Sequence, residues 1–318
     1  MSITNSNIAI LYGGWSDERA ISLKSGKSVF ESLQSHGYNV FLFDFAKNDP
    51  HILHDFILHN NIDMVFNLMH GVGGEDGTVQ KYLEKISVSS IGSGSESSRL
   101  SFNKITTKEI WLENGLQTPK YCAISQDIFE NNILDTFGDK VVLKPIESGS
   151  SVGIKILNKK DLITKKNTSP FDYLCSFMDI NIDPDKYFIE EYINCPEYTA
   201  PIIKDVVYPI IKIETDREFY NYDAKYIDDD TSFIFPEFSR DIQELINNVA
   251  LDAFHSLGCK NWGRVDFFMD DSYNINLIEV NSIPGMTSHS LVPMSANKAG
   301  LSYHDLIMLI LNLSLIHI

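Results

Sequence analysis

The segments Gly263-Arg264-Val265-Asp266-Phe267-Phe268-Met269 and Asn276-Leu277-Ile278-Glu279-Val280-Asn281 decide how this chain is read. Both are apolar, β-branched or aromatic, and the acidic turn Asp270-Asp271-Ser272 lies between them, so they predict the two strands of a hairpin. Side chains alternate faces along a strand, which puts Arg264 with Asp266 and Glu279 with Asn281. Pairing then lets Asp266, Glu279 and Asn281 converge. Ionised carboxylates in an apolar sheet need a counterion or a metal. Two acids and an amide form an all-oxygen set that suits Mg²⁺ and offers nothing soft for zinc or copper. A structural ion pair of Arg264 with Asp266 or Glu279 satisfies the same residues equally well, and the hairpin alone does not choose between the two.

Outward from the hairpin, the N-terminal third alternates strands and helices. Ile8–Tyr12 reads as a buried strand, Gly13-Gly14-Trp15-Ser16 as a turn, and 18–35 as a helix stopped at Gly37. Segments 38–43 and 63–68 read as further strands, giving a doubly wound α/β arrangement. Ligands bind such sheets at the carboxyl ends of strands, where Gly13-Gly14 and the run His70-Gly71-Val72-Gly73-Gly74-Glu75-Asp76-Gly77 fall. The Ser/Gly stretch 89–95 reads as a linker. A second unit carries a helix around 104–114 and the strand 140–144. A third holds strands near 198–204 and 207–213, a long polar loop 214–231, and a helix over 241–257. Long polar loops in compact domains commonly act as lids.

Several segments could handle phosphate. Ser25-Gly26-Lys27-Ser28 imitates the end of a Walker A loop, but Ile21 stands where the earlier glycine is required and the segment lies inside a helix. No GxGxxG follows a strand. Lys144-Pro145-Ile146-Glu147-Ser148-Gly149-Ser150-Ser151-Val152-Gly153 is different: a lysine at a strand end precedes small residues whose amides can form a concavity for phosphate. A plain Gly/Ser hairpin would read the same way. Phe188-Ile189-Glu190-Glu191-Tyr192-Ile193 can offer backbone groups to an adenine edge, or be an ordinary strand. His70 and His289 are candidate acid–base groups, although a lone histidine in a Gly-rich loop is more often a structural hydrogen bonder.

Composition bounds these readings. The chain has 318 residues, 43% hydrophobic and 22% charged, ordinary values for globular domains. A net charge of −17 argues against nucleic-acid and anionic-membrane partners, but a local basic pocket can still admit ATP. The cysteines at 122, 175, 195 and 259 form no CxxC pair and suggest neither disulfides nor zinc. The first residues lack a basic-then-apolar pattern, and the tract 306–318 is too short to span a bilayer, so the expected compartment is the cytoplasm.

The order of the motifs is specific where each one alone is not. Gly-Gly-x-Ser-x-Glu at 13–18, His70 with 73–77, Lys-Pro with Gly-Ser-Ser-Val-Gly at 144–153, and Asp-Ala-Lys-Tyr at 223–226 are followed by Gly-Arg-Val-Asp at 263–266 and Glu-Val-Asn-x-x-Pro-Gly-Met-Thr-x-His-Ser at 279–290. From about Ile8 to about Leu313 the chain resembles the D-alanine–D-alanine ligases of the ATP-grasp superfamily. The resemblance implies an α/β (α+β) three-domain architecture: a Rossmann-like domain over 1–95, a central ATP-grasp subdomain over 96–190, and a C-terminal subdomain over 191–318 with metal site and lid. It implies ATP-dependent ligation of two D-alanines through an acyl phosphate, for peptidoglycan precursors, in a cytoplasmic homodimer without membrane insertion.

By the same resemblance, Lys104, Lys144, Ser151 and Lys225 would contact ATP phosphates, and Glu190, Tyr192, Ile193 and Glu197 would hold adenine and ribose. Asp266, Glu279 and Asn281 would bind two Mg²⁺ ions, with Mn²⁺ as a substitute. Glu18 would hold the ammonium of the first D-alanine, His70 would bind substrate, and Ser290 and Leu291 would receive the carboxylate of the second. Arg264 and the Gly285 amide would form an oxyanion hole, while Tyr226 would link to Ser150 and Glu18 and shut the lid. Two alternatives are a D-alanine–D-lactate ligase, disfavoured by Lys225-Tyr226, and an inactive ATP-binding interaction protein. Departures from the family pattern are Glu147, one place early in the phosphate loop, Tyr192 in place of a common tryptophan, and the stretch 235–240.

Overall fold

A computed structural model describes residues 3–125, 133–149, 153–160, 183–215 and 231–313. The first sheet is parallel, with strands β1 (Ile8–Tyr12), β2 (Val40–Asp44), β3 (Met64–Asn67) and β4 (Ser89–Ser90) in the order β2-β1-β3-β4. Alternation along β1 splits its side chains between two cores. Ile8 and Ile10 join Val29 and Leu33 of helix α1 (Arg19–Ser35), whereas Ala9 and Leu11 join Leu53 and Ile57 of α2 (Pro50–His59) and Val79 and Leu83 of α3 (Thr78–Lys85). A parallel strand buried on both faces must be apolar throughout, which is why Ile8-Ala9-Ile10-Leu11 has no polar alternation.

The second sheet is antiparallel, β5-β8-β6-β7, from Tyr121–Ala123, Tyr187–Glu191, Lys140–Pro145 and Lys155–Asn158. The third runs β12-β11-β9-β13-β14, with β10 (Val206–Val207) paired to β9. Its strands are β9 (Glu197–Ile203), β11 (Ile211–Thr215), β12 (Thr231–Ile234), β13 (Trp262–Met269) and β14 (Ile275–Asn281). Helix α6 (Arg240–Ser256) places Ile246, Ala250, Ala253 and Phe254 against Ala200, Ile202, Val265 and Val280 of this sheet. Ser239 starts α6 by accepting from the Ile242 amide at 3.4 Å, and Phe238 packs near Tyr198, which gives the 235–240 stretch a local purpose.

One expectation changes. The supposed linker 89–95 supplies the fourth strand of the first sheet and runs into helix α4 (Ser95–Phe102), which precedes α5 (Lys104–Glu113). Ser89 and Ser90 carry no apolar signal, because β4 is an edge strand held by backbone bonds rather than burial. The terminal helix α8 (Tyr303–Leu313) and helix α7 (Leu291–Lys298) share a core with the first sheet: Val292, Ala296, Leu306, Ile307 and Ile310 cluster with Ile8, Ile10 and Phe66. The chain's end thus clamps its beginning, and that clamp forms one wall of the site.

Candidate active site

The β13–β14 hairpin forms as an antiparallel pair with Arg264 opposite Asn281 and Asp266 opposite Glu279, and a bulge follows Asp266. All four side chains share one face, while Val265, Phe267 and Val280 point into the core beneath. Asp266 is 3% exposed, and both of its carboxylate oxygens accept hydrogen bonds. Arg264 grips it with two bonds of 2.8 Å, Asn281 Nδ2 donates at 3.0 Å, and Thr199 Oγ1 of β9 donates at 2.6 Å. Glu279 lies 3.3 Å from Lys104 Nζ. Among the described residues no three His, Cys, Asp or Glu side chains converge, so the oxygen set is two carboxylates and an amide. Because Asn281 turns its NH₂ toward Asp266, its carbonyl oxygen remains for a cation beside Glu279. This donor set fits a hard divalent ion. The Arg264–Asp266 pair, the structural alternative that the sequence left open, forms in this cluster.

A second cluster surrounds Glu190 of β8. Its carboxylate is 1% exposed and bridges two lysines, Lys144 at the end of β6 and Lys108 of α5, the latter at 2.6 Å. Burial would raise the Glu190 pKa, but Lys108 and then Lys144 outweigh it and hold the group below its ordinary value. Burial lowers Lys108 to about 8, with Glu190 pulling the other way. On the hinge after β8, the Glu191 and Tyr192 amides already donate to the carbonyls of Lys120 and Lys140. The Ile193 amide has no such partner among the described residues. Lys140 Nζ stands 5.2 Å above the Tyr192 ring, so the aromatic swap at 192 keeps a flat wall there.

The phosphate loop begins where β6 ends. Lys104 donates to the Ser148 carbonyl, and its own amide donates to Ile146 at 3.0 Å. Glu147, the departure from the family pattern, accepts from Asn103 Nδ2 at 2.8 Å, while Asn103 Oδ1 caps α5. Its carboxylate thus ties the loop to a helix start. A Cβ at Gly149 would lie 2.4 Å from Glu18 Oε2, so any larger residue would push the Glu18 side chain out of its place beneath the loop.

Between the two ends of the chain lies a cavity of about 260 Å³. Glu18, Ile21, Lys24, His70 and Glu75 line it from the first domain, and Arg264, Glu279, Asn281, Gly285, Ser290 and Leu291 from the last. His70 is 5% exposed; burial pushes its pKa down to about 4, so the imidazole is neutral. It bonds the Ile283 carbonyl and meets Ser25 Oγ at 3.3 Å, and Ser25 in turn accepts from the Met286 amide. His70 therefore fixes the 283–290 loop. Glu75 accepts from the Gly71 amide at 2.7 Å; burial first, then the charge of Glu18, raise its pKa well above the carboxylate range. Ser290 precedes α7 and its Oγ accepts from the Thr287 amide at 3.0 Å. The N-terminus of α7 faces the cavity there, a favourable place for a carboxylate.

Of the expected site residues, Glu18, His70, Lys104, Arg264, Glu279, Asn281, Gly285, Ser290 and Leu291 line this cavity or the adjoining small pocket beside Ser148. Asp266 lies beneath Arg264, and Lys144 with Glu190 sits beside Lys108. Glu197 begins β9 opposite Phe268. Ser150, Ser151, Lys225 and Tyr226, and all of the lid but its two ends, lie outside the described residues. The false Walker segment is inside α1, with Lys27 exposed and 3.7 Å from Glu31. Sequence reading missed Thr199, Lys108 and Thr118. Lys108 follows Lys104 by one helical turn, a same-face signal that was readable; Thr199 depends on strand pairing, which was not.

Residues 110–312 match the family described as "D-ala D-ala ligase C-terminus". A D-alanine–D-alanine ligase from Saccharophagus degradans is 34% identical, covering 96% of this chain and 94% of the relative. One from Glaesserella parasuis is 36% identical over 99% of this chain and 100% of its own length. The crystal structure of a D-alanine–D-alanine ligase from Bacillus anthracis complexed with ATP superposes with a TM-score of 0.80, covering 98% of this chain and 97% of that one, at 29% identity. With that coverage at both ends, the chain belongs to the D-alanine–D-alanine ligase family.

Proposed function

We propose that this chain joins two D-alanines at the expense of ATP, releasing ADP and phosphate. The observation that supports the reading is a cavity lined by Glu18, Arg264, Glu279, Asn281, Gly285 and Ser290 beside a cluster of paired lysines. Lys104 lines the adjoining small pocket 3.3 Å from Glu279, and Lys144 and the buried Lys108 pair with Glu190 behind it. Glu18 receives the ammonium of the first D-alanine at the Gly149 loop, which brings its carboxylate toward the phosphate end of ATP. A carboxylate is a poor electrophile and becomes one as an acyl phosphate. The second D-alanine sits with its carboxylate at Ser290 and Leu291, and its neutral amine attacks the acyl carbon. Arg264 and the Gly285 amide stabilise the tetrahedral oxyanion; losing one such donor typically costs about 3–4 kcal/mol. Neutral His70 holds the 283–290 loop that presents both the Gly285 amide and Ser290.

Glu279, Asn281 and Asp266 would hold Mg²⁺, which neutralises phosphoryl charge and aligns the attack. Incubation with ATP, Mg²⁺ and D-alanine should yield phosphate and D-alanyl-D-alanine in equal amounts. Phosphate without dipeptide would point to an ATPase. D-lactate supplied in competition should give little depsipeptide at neutral pH. Glu279→Gln removes a carboxylate worth several kcal/mol of charge stabilisation, so turnover should fall roughly a thousandfold. Near-normal turnover would contradict the metal assignment.

A further inference from the structure

We propose that Lys108 is a positioning residue for the nucleotide: it stays with Glu190 as permanent counterion, so that Lys144 is free to move to an ATP phosphate. The inference rests on the ATP reading above. Glu190 is shared, one oxygen facing Lys144 and the other facing Lys108 at 2.6 Å. The two lysines differ in freedom. Lys144 stands at the end of β6, directly before the phosphate loop, with 9% of its side chain exposed. Lys108 is 1% exposed and is tied down at its tip, where Nζ donates to Thr118 Oγ1 at 2.6 Å and Thr118 donates to the Leu277 carbonyl at 2.8 Å. Lys108 therefore cannot reach a nucleotide, and Lys144 can.

A buried carboxylate stripped of all cations is strongly destabilised. An ammonium bonded closely to a carboxylate is, in the same way, hard to draw away if it is the carboxylate's last partner. A phosphate competing for Lys144 succeeds because Glu190 keeps Lys108. Without Lys108, the Lys144–Glu190 pair becomes exclusive, and ATP must break it against the full cost of a stranded buried charge. Lys108 thus acts through Glu190 and Lys144 and touches no substrate.

The test uses the full chain and a non-hydrolysable ATP analogue with Mg²⁺, with binding measured by calorimetry and kinetics measured with ATP. Lys108→Met, close in shape and uncharged, should weaken analogue binding and raise the KM for ATP at least tenfold. The KM for D-alanine at saturating ATP should change less than twofold. A Lys108→Met, Glu190→Gln double variant should regain most of the lost affinity, because no buried acid then holds Lys144; a packing role for Lys108 would show no such rescue. The double variant strands no buried carboxylate and leaves only Lys144, at the loop edge of the site, without its acid, so it serves if Lys108→Met folds poorly: its analogue affinity should then match that of Glu190→Gln alone. Unchanged binding in Lys108→Met, or a double variant no better than the single one, would overturn the proposal while leaving the ligase reading intact. Wild-type protein that fails to bind the analogue would overturn both.

Discussion

Acidification should destabilise this protein through His70 in a way that can be worked out in advance. The ring is buried, and burial lowers its pKa from about 6.5 to about 4; the Arg264 charge pushes the same way and the Ile283 carbonyl opposes. The folded-state value is the depressed one, so the unfolded chain takes up the proton first as pH falls. The stabilising contribution is complete above about pH 6.5, shrinks between 6.5 and 4, and is gone below. A shift of this size corresponds to on the order of 3 kcal/mol, of which roughly 2 kcal/mol is lost by pH 5. For a chain of this length that is a drop of about 3 °C in thermal midpoint. The assay compares midpoints of wild type and His70→Gln at pH 7.5, 6 and 5, so that all other titrating groups, Glu75 among them, cancel in the difference. Wild type should lose about 3 °C more than the variant between pH 7.5 and 5. Because His70 anchors the loop carrying Gly285 and Ser290, the KM for the second D-alanine should climb over the same interval. Parallel losses in the two proteins would mean the ring does not titrate in this window, and the anchoring argument would fail.

Lys27→Ala should leave the KM for ATP within about twofold, since an exposed helical ion pair contributes only about 0.3–0.5 kcal/mol and the residue faces away from the site; a large loss would reinstate the Walker-like segment. Gly285→Ala places a Cβ 2.8 Å from Ser290 Oγ, which must shift. The KM for the second D-alanine should rise roughly tenfold or more with ATP affinity intact, because small misplacements at a reacting pair are expensive; equal effects on both substrates would refute the division of roles across the cavity.

How much of this was legible in the sequence depends on whether the signal was local. The β13–β14 hairpin was, because alternation fixes which side chains share a face and the turn fixes their approximate register. The doubly wound first domain was, because Ile8-Ala9-Ile10-Leu11 can only be a strand covered on both sides. The fourth strand was not, since two serines at an edge carry no hydrophobic pattern and are placed by their neighbour β3. The docking of α7 and α8 on the first sheet was equally hidden: the apolar tract at 303–313 announces burial but not what it is buried against. In the site, Asp266, Glu279 and Asn281 were readable as a cluster, whereas Thr199, which completes the shell of Asp266, comes from a strand more than sixty residues away. Ser25 shows the converse. It stood in a discarded motif, yet its hydroxyl joins His70 to the Met286 amide. The motif was correctly dismissed as a phosphate loop; the serine within it belongs to the site for another reason.

The charge of the chain and the charge of its substrate conflict, and the site resolves the conflict locally. A net charge of −17 repels a triphosphate at long range, but at physiological salt that field is screened beyond about 8 Å. At the proposed site a phosphate would meet a row of acids each already matched to a cation: Glu279 with Lys104, Glu190 with Lys144 and Lys108, Asp266 with Arg264. Binding there would be an exchange of partners rather than the filling of a basic pocket. On the proposed reading, phosphate oxygens would take Lys104 and Lys144, Glu279 would be left for a divalent ion, and Glu190 would keep Lys108. Such an exchange would give a role to the second lysine at Glu190: Lys108 would hold the carboxylate when Lys144 leaves it.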